Sequence, residues 1–406
     1  MANEIARSLA TCLPWAGKQI RIEEVDTVLS SLWKMSADNL RIGANLHVRT
    51  SVLNLVICTP DAMSAHYAST LLRSLSSTYL ARATIVILDA SQETPDLLES
   101  WVTLRCFSMI SDLMRHCFEQ TTLLTSGQAN SVLHSTLPRV LRANLPTYLW
   151  WIGDTTGADN TIFHRVAELC QRVIVDSATF LRPEQDIHAL ANSYKNAPQV
   201  ALSDLTWGRL TPWRQLVAQF FDMPEYLPFL NGIERIEIEH VAAPLAEPHV
   251  GDNGEVSPNP TAALLLAGWL KTSLNLALAP EESVQNLHET QSGTYQWLLK
   301  VPASGTSAVM QIQPQIQSNL RRGSLYLVRL TCTAANKRAI FTIKRDADSD
   351  YVLTSVEVAQ ETRPMRIVNL PVRYNESELL CNELEIMGHD QLFEQVLQEV
   401  DILLLR

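Results

Sequence analysis

The chain has 406 residues, of which 46% are hydrophobic, and a net charge of −11. Its length exceeds the roughly 250–300 residues at which a single core stops growing, so we expect two domains. The acidic balance and the lack of any block of basic residues exclude nucleic acid as the main partner, because phosphate neutralisation needs clustered lysine and arginine.

The N-terminal segment and the apolar runs do not predict export or membrane insertion. Glu4 and Arg7 lie within what would be the apolar part of a secretory signal. The longest membrane-like run, 262–270, has about half of the roughly 20 residues that a spanning helix needs. We therefore expect a soluble cytoplasmic protein with no membrane association.

The first half of the chain alternates helical and strand patterns. Helices are predicted over 20–34, 61–80, 160–170 and 184–195, and strands over 48–58, 83–89, 147–154, 172–176 and 199–204, with further strand candidates at 100–110 and 120–126. The strand runs are apolar on both faces, which is typical of parallel strands covered by helices. The pattern predicts an α/β domain with a largely parallel sheet.

Four of these strands end in an aspartate: Asp89, Asp154, Asp176 and Asp204. Ligands of open α/β sheets bind outside the carboxyl ends of the strands, so a cluster of carboxylates there is a candidate site. Alternatively, each aspartate caps the helix that follows, which needs no ligand. We favour capping.

The stretch 204–216 lies at the midpoint of the chain. We interpret it as a strand end, a turn containing Gly208 and the start of a helix, with Thr211 as N-cap and Pro212 in the first helical position. One face of that helix is apolar, and it consists of Trp213, Leu216, Val217 and Phe220.

The same stretch is rich in residue types that dominate binding hot spots. Candidate partner-binding residues are Trp207, Arg209, Trp213 and Arg214. The competing interpretation is that both tryptophans pack in the core.

The second half has a different pattern. A strand over 233–242 alternates apolar and charged residues, 244–260 has loop composition, and an apolar helix covers 261–276. Strands follow at 294–301, 307–317, 323–334, 337–346 and 350–358, and a closing helix over 376–404 breaks at Gly388. We predict an α+β domain with an antiparallel sheet, and we place the two domains at residues 1–178 and 179–406.

No catalytic signature is present. The chain has no glycine-rich phosphate loop of either standard pattern, no H-E-x-x-H and no G-x-S-x-G. We predict no catalytic residue, no cofactor and no metal. Arg139 and Arg142 are predicted on one face of a short helix, where they hold an anion or a partner carboxylate or form surface ion pairs.

The seven cysteines are scattered, and none forms a C-x-x-C pair. Several lie in apolar runs, as Cys58 does. This pattern predicts buried, reduced thiols rather than a metal site. A redox role for one or two exposed cysteines stays open.

Five stretches together resemble the OpcA family, the glucose-6-phosphate dehydrogenase assembly proteins. They are 48–56 (VRTSVLNLV), 148–151 (YLWW), 172–177 (RVIVDS), 204–214 (DLTWGRLTPWR) and 264–270 (LLLAGWL), of which WGRLTPWR is the most specific. They occur in the family's order, and the β-rich tail is similar to that of cyanobacterial members.

The resemblance implies a non-enzymatic protein that binds glucose-6-phosphate dehydrogenase, promotes its active oligomer and raises its affinity for glucose 6-phosphate. Substrate and NADP then belong to the dehydrogenase. We expect a large interface, formed either by the mid-chain stretch or by the C-terminal sheet. Two other hypotheses stay open: a sugar-phosphate-binding or hydrolytic enzyme that uses the strand-end aspartates, and a scaffold without kinetic effect.

The resemblance also implies activation that is redox-sensitive through thioredoxin. The tail offers only Cys332 and Cys381 as candidate redox thiols, and they are far apart in sequence. A local switch needs two cysteines within disulfide distance. Redox control is therefore either lacking in this chain or uses the thiols of the dehydrogenase.

Overall fold

The structure is a computed structural model, which describes residues 13–38, 46–48, 51–75, 81–89, 95–108, 114–153, 161–242, 259–280, 294–317, 319–346, 349–363, 365–371 and 374–405. The chain divides into two compact units. The first consists of Met1–Asp176, Asn192–Ser203 and Asn375–Asp390, and the second of Ser177–Ala191, Asp204–Tyr374 and Gln391–Arg406. Each unit combines several separate segments of the chain, so it does not test the predicted division into one domain over 1–178 and another over 179–406. Those domain bounds stay a prediction.

The first unit is built on a nine-stranded, mostly parallel sheet. Its strands are β1 (Lys18–Ile20), β2 (Leu46–Val48), β3 (Leu53–Thr59), β4 (Ala81–Asp89), β5 (Leu97–Ser108), β6 (Met114–Ser126), β7 (Thr147–Trp151), β8 (Arg172–Val175) and β9 (Ala201–Asp204). They lie in the order β1-β5-β6-β4-β3-β7-β8-β9, with β2 beside β6. The pairs from β6 through β4, β3 and β7 to β8 are parallel, which confirms the predicted α/β class.

Helices of the described chain separate these strands as predicted. They are α1 (Val25–Asp38), α2 (Ala62–Leu75), α3 (Leu133–Thr136), α4 (Thr161–Ala167) and α5 (Pro183–Asn196). Every residue of β3 is buried, as expected for a central strand covered on both faces. The predicted strand over 48–58 is confirmed from Leu53 onward, where β3 begins, but its start was wrong. Leu46–Val48 form the separate strand β2, which pairs with β6, while β3 pairs with β4 and β7.

The long strands β5 and β6 pair antiparallel, and their register places Cys106 opposite Cys117. The two thiols form a disulfide whose Cα atoms are 4.0 Å apart. The expectation that all cysteines are reduced was therefore wrong for this pair, because cross-strand register is not visible from sequence spacing. Cys58, Cys170 and Cys332 are free and buried, as predicted.

The second unit is built on a nine-stranded sheet that is antiparallel except for the pair β10–β13. Its strands are β10 (Ile233–Ala242), β11 (Ala277–Leu278), β12 (Tyr295–Val301), β13 (Thr306–Ile316), β14 (Leu325–Ala334), β15 (Lys337–Arg345), β16 (Tyr351–Val358), β17 (Glu361–Thr362) and β18 (Arg366–Asn369). The order is β11-β12-β13-β10-β14-β15-β16-β17, with β18 beside β16. The antiparallel α+β architecture predicted for this half is confirmed.

The remaining helices are α6 (Leu205–Arg209), α7 (Thr211–Phe220), α8 (Thr261–Ser273), α9 (Glu376–Glu385) and α10 (Gln391–Leu404). The predicted break near Gly388 is confirmed, since Gly388 has a positive φ of 74° between α9 and α10. No helix in the described parts of the chain is long and apolar enough to cross a membrane.

Candidate functional site

The mid-chain stretch is more helical than its sequence predicts. Residues 205–209, interpreted as a turn, form helix α6, and Asp204 caps it by accepting a hydrogen bond from the Thr206 amide at 2.9 Å. Helix α7 begins at Thr211 itself, with Leu210 in the cap position and no side-chain cap, so the prediction of Thr211 as N-cap was wrong. The predicted apolar face of α7 is buried.

Trp207 is 4% exposed and packs within the second unit. Its ring centroid lies 5.7 Å from that of Phe393 on α10. The Arg214 guanidinium carbon lies 3.5 Å from the same ring centroid, a close cation–π contact. Arg214 also donates to Thr211 Oγ1 at 2.9 Å. The indole and the arginine therefore stabilise each other inside the unit.

Trp213 is 3% exposed and faces the buried Arg345. The guanidinium carbon of Arg345 is 5.7 Å from the indole centroid, and its Nη1 donates to the Leu370 carbonyl at 2.9 Å. Arg209 is half-buried, and its carbonyl accepts from the Tyr374 hydroxyl at 3.2 Å. These contacts assign both tryptophans to the core. A partner contact by Trp207, Arg209, Trp213 or Arg214 stays a prediction.

Arg139 and Arg142 do not share a helix face, because the helical turns end at Arg139. Arg142 is 29% exposed and pairs with the buried Glu119 at 3.1 Å. The same carboxylate accepts from Trp33 Nε1 at 2.8 Å and pairs with Arg82 at 3.4 Å. Arg139 is exposed and lies 3.8 Å from Glu23. Arg142 is thus part of a buried network, and Arg139 forms the surface ion pair that was the alternative.

Among the strand-end aspartates, Asp204 caps the helix that follows it. Asp204 is buried and accepts from the amide of Ser177 at 3.0 Å and from its hydroxyl at 2.5 Å, besides capping α6. Asp89 and Asp176 are half-buried, and Asp154 lies outside the described residues. Within the described chain, no group of three histidine, cysteine or acidic side chains could hold a metal ion.

The turn after β3 lies at the topological switch point of the first sheet, because β4 and β7 flank β3 on opposite sides. In doubly wound sheets, the N-terminus of the following helix is an anion-binding position. Here Asp61 fills it: Oδ1 accepts from the amides of Met63 and Ser64, both at 2.8 Å. Pro60 has no amide to offer and lies against Gly153, 3.5 Å from where a Cβ of that glycine would be. The sequence predicts a helix that begins at residue 61, but it does not show that this helix start lies at the switch point.

The candidate redox thiols Cys332 and Cys381 lie in different units. Cys332 is buried, and burial raises its thiol pKa to about 12. Burial, together with Glu385 and Glu378, also raises the pKa of the half-buried Cys381. Both thiols are free and neutral at physiological pH. Their assignment as redox thiols stays a prediction.

The second sheet has two distinct faces. Its inner face carries buried residues that oppose each other across strands, such as Ile236, Leu330, Phe341 and Val356. On the opposite face, which we call the outer face, one row of opposed residues consists of Glu239, Leu327, Lys344, Leu353 and Ile367. Ile367 is 67% exposed and Lys344 is also exposed. The next row contains Glu237, which pairs with Arg329 at 3.5 Å. Within the first row Leu327 is buried, whereas Lys344 and Ile367, nearer the β18 edge, remain accessible to solvent.

These observations define a class: a protein with a doubly wound α/β unit, whose switch-point helix is capped by its own carboxylate, and an α+β unit with an open sheet face. Residues 73–192 match the family described as glucose-6-phosphate dehydrogenase subunit N-terminal domain, and residues 200–397 match the corresponding C-terminal domain. The chain belongs to this family, the OpcA family, as the sequence resemblance indicated.

Two of the similar proteins are relatives that are named as OxPP cycle protein OpcA. The one from Nostoc punctiforme is 27% identical over 291 residues, which cover 69% of this chain and 56% of that protein. The one from Synechocystis is 30% identical over 178 residues, which cover 43% and 34%. The chain thus spans less than two thirds of the length of these relatives.

Among solved structures, the chain is similar to KijD10, a 3-ketoreductase from Actinomadura kijaniata, with a TM-score of 0.44 and 10% identity. The match covers 87% of this chain and 96% of that one. At this score the likeness carries no conclusion about activity.

Proposed function

We propose that this chain is a cytoplasmic, non-enzymatic assembly factor and allosteric activator of glucose-6-phosphate dehydrogenase in the oxidative pentose phosphate pathway. The observation that carries the proposal is the family match over residues 73–192 and 200–397. In this function the chain favours the active oligomer of the dehydrogenase and raises its affinity for glucose 6-phosphate. Substrate and NADP bind to the dehydrogenase.

The switch-point turn supports a role other than dinucleotide chemistry. A pyrophosphate at the N-terminus of α2 would meet the Asp61 carboxylate, which already accepts the two free amides there. Two anions at one helix end repel each other, and Pro60 removes a further donor. The alternative function is an enzyme that uses the strand-end aspartates. Asp204 is a poor candidate for such a catalytic group, because its carboxylate already accepts hydrogen bonds from Ser177 and Thr206.

The burial of Trp207 and Trp213 favours the C-terminal sheet over the mid-chain stretch as the contact surface. Seven adjacent strands of about 8 residues give the outer face dimensions of roughly 34 Å by 26 Å, or about 900 Å². A standard interface takes about 800 Å² from each partner, so the outer face alone is large enough. We place the dehydrogenase on this face.

Activation then follows from differential binding. A partner that binds the active conformation of the dehydrogenase preferentially raises its substrate affinity by the same coupling free energy, about 1–3 kcal/mol for roughly 5–150-fold. The test is to titrate the protein into the dehydrogenase at limiting glucose 6-phosphate and to follow velocity and co-elution. We expect a lower KM and no turnover by the chain alone. Unchanged velocity without co-elution would refute the proposal, and co-elution with unchanged kinetics would indicate a scaffold.

The contact surface is tested with a matched pair of variants. Ile367→Glu adds a charge to the outer face, and Leu181→Glu adds the same charge at a similarly exposed site of the second unit, since the two side chains are 67% and 62% exposed. Neither substitution disturbs the core. We expect Ile367→Glu to weaken dehydrogenase binding at least tenfold, because burying an unpaired charge in an interface is costly. Equal binding of the two variants would remove the outer face from the proposal.

We further propose that any redox sensitivity of this activation depends on Cys106 and Cys117. Cys106 is exposed and therefore accessible to a dithiol reductant, whereas Cys332 is buried with a raised thiol pKa. The activation titration is repeated with and without dithiothreitol in wild type, Cys106→Ser and Cys381→Ser. Loss of the reductant effect in Cys106→Ser alone supports the assignment. Loss of the reductant effect in Cys381→Ser alone would instead assign the redox sensitivity to Cys381 in the C-terminal tail.

A further inference from the structure

A groove opens at the edge of the second sheet, between the end of α7 and the strands β16 and β18. Its volume is about 290 Å³. The apolar lining consists of Leu216, Phe220, Met223, Val356, Met365 and Val368. Met223 and Met365 are 43% and 60% exposed, so the groove has an accessible apolar rim of flexible side chains.

Two arginines line the same groove, Arg363 and Arg366. Arg366 lies opposite Thr354, a buried residue of the inner face, so its side chain emerges on the groove side of β18. Among the residues that the structure describes, Arg366 forms no ion pair. Arg363 pairs with Glu225 at 3.4 Å. Two cations and one carboxylate leave one positive charge at the groove, in a chain whose net charge is −11.

We propose that this groove binds a small amphipathic anion: an apolar alkyl body that carries one carboxylate or phosphate. The anionic group pairs with Arg366, with Arg363 adjacent, and the apolar body lies between Met223 and Met365. Guanidinium groups recognise carboxylate and phosphate through parallel hydrogen bonds, so both head groups fit. The combination of an apolar lining with a few convergent polar groups is typical of ligand sites.

The volume favours a small molecule over a protein segment. A groove volume of about 290 Å³ lies close to the lower end of the range for ligand pockets. The proposal does not depend on the dehydrogenase. Arg366 and Ile367 are consecutive residues of β18, but Ile367 lies on the outer face and Arg366 in the groove.

The binding experiment uses the full chain and four probes. Octanoate and octyl phosphate carry both tail and charge, acetate lacks the tail, and octan-1-ol lacks the charge. By calorimetry we expect saturable one-site binding of octanoate or octyl phosphate, and at least tenfold weaker binding of acetate and octan-1-ol. Preference for one of the two anions identifies the head group. Octan-1-ol binding as tightly as the anions, or no saturable binding of either anion, would overturn the proposal.

The position of the ligand is read from methionine methyl resonances of ¹³C-methyl-labelled protein. Met223 and Met365 should shift on titration, whereas Met63 and Met387, which are 81% and 92% exposed in the first unit, should not. Equal shifts of all four would show unspecific association and refute the site.

The charge contact is tested by Arg366→Gln beside Arg338→Gln, which removes the same charge from an exposed position on β15. We expect Arg366→Gln to weaken octanoate binding at least tenfold, about 1.4 kcal/mol, with no change for Arg338→Gln. Dehydrogenase activation should persist in Arg366→Gln, which separates this site from the proposed function. Unchanged octanoate affinity in Arg366→Gln would overturn the assignment. Loss of dehydrogenase binding without any octanoate binding would identify a protein segment instead.

Discussion

Replacing Trp207 by alanine separates a packing role of the mid-chain stretch from an interface role. The indole is 4% exposed, packs on Phe393 and lies under Arg214. Truncating a buried tryptophan to alanine costs about 3–5 kcal/mol, and the cation–π contact accounts for about 0.5–2 kcal/mol of such a loss. For a unit of this size, each kcal/mol lowers the melting temperature by roughly 2–4 °C, so the expected drop is roughly 6–20 °C.

The assay is differential scanning calorimetry together with urea unfolding, and the control is Arg209→Ala. Arg209 is half-buried, and its Nη1 donates to Thr206 Oγ1 at 3.5 Å. The loss of the Arg209 side chain should lower the free energy of unfolding by less than about 1 kcal/mol, because the backbone carbonyl that accepts the Tyr374 hydrogen bond is retained. If Trp207→Ala melts like wild type but binds the dehydrogenase more weakly, the burial argument is wrong and the indole belongs to the interface.

Three further predictions concern buried groups. Glu119→Gln should lower the free energy of unfolding, measured with urea, by about 3 kcal/mol, because it removes the buried carboxylate that pairs with Arg82 and Arg142. The loss lies at the lower end of the range for broken buried pairs because Arg82 keeps its pair with Asp26 at 2.6 Å. The exposed Glu23→Gln should change the same free energy by less than about 1 kcal/mol. Cys106→Ser should lower the free energy of unfolding by about 3 kcal/mol relative to the oxidised chain, since the disulfide closes a loop of 11 residues. Equal unfolding midpoints of the wild-type chain with and without reductant would contradict this prediction. Cys332 should resist iodoacetamide in the native protein up to pH 9, because a thiol with a pKa near 12 becomes a thiolate only above that pH range. The half-buried Cys381 should react first. Mass spectrometry identifies which cysteines are labelled.

The longer strands of both sheets could be predicted because their physical signals are local, whereas the short strands β1, β11, β17 and β18 were not predicted. A run such as Ile85–Leu88, apolar on every residue, fits only a strand covered on both faces, and β4 is buried along that run. The alternation over 233–242 likewise predicted a strand with one wet face, which β10 has. These patterns depend on the residues of one element and need no knowledge of its neighbours.

The features that could not be predicted depend on register between distant strands. The pairing of Cys106 with Cys117 follows from the alignment of β5 with β6, and the approach of Arg82, Arg142 and Trp33 to Glu119 follows from the packing of separate elements. Spacing in sequence contains none of this information. For the same reason, Arg142 looked like an available cation although its partner is a buried carboxylate 23 residues away.

The position of Asp61 shows how a doubly wound sheet can be kept without its usual ligand. The end of β3 still places a helix N-terminus at the switch point, where unpaired amides and the helix dipole favour an anion. A glycine-rich turn leaves those amides to a phosphate, whereas Asp61 satisfies them with a carboxylate of the same chain. The electrostatic requirement of the helix end is therefore met without a bound nucleotide. In the functions proposed above, the first unit serves as a stable scaffold. The dehydrogenase and the small anion bind to the second unit, at its outer face and its arginine-lined groove.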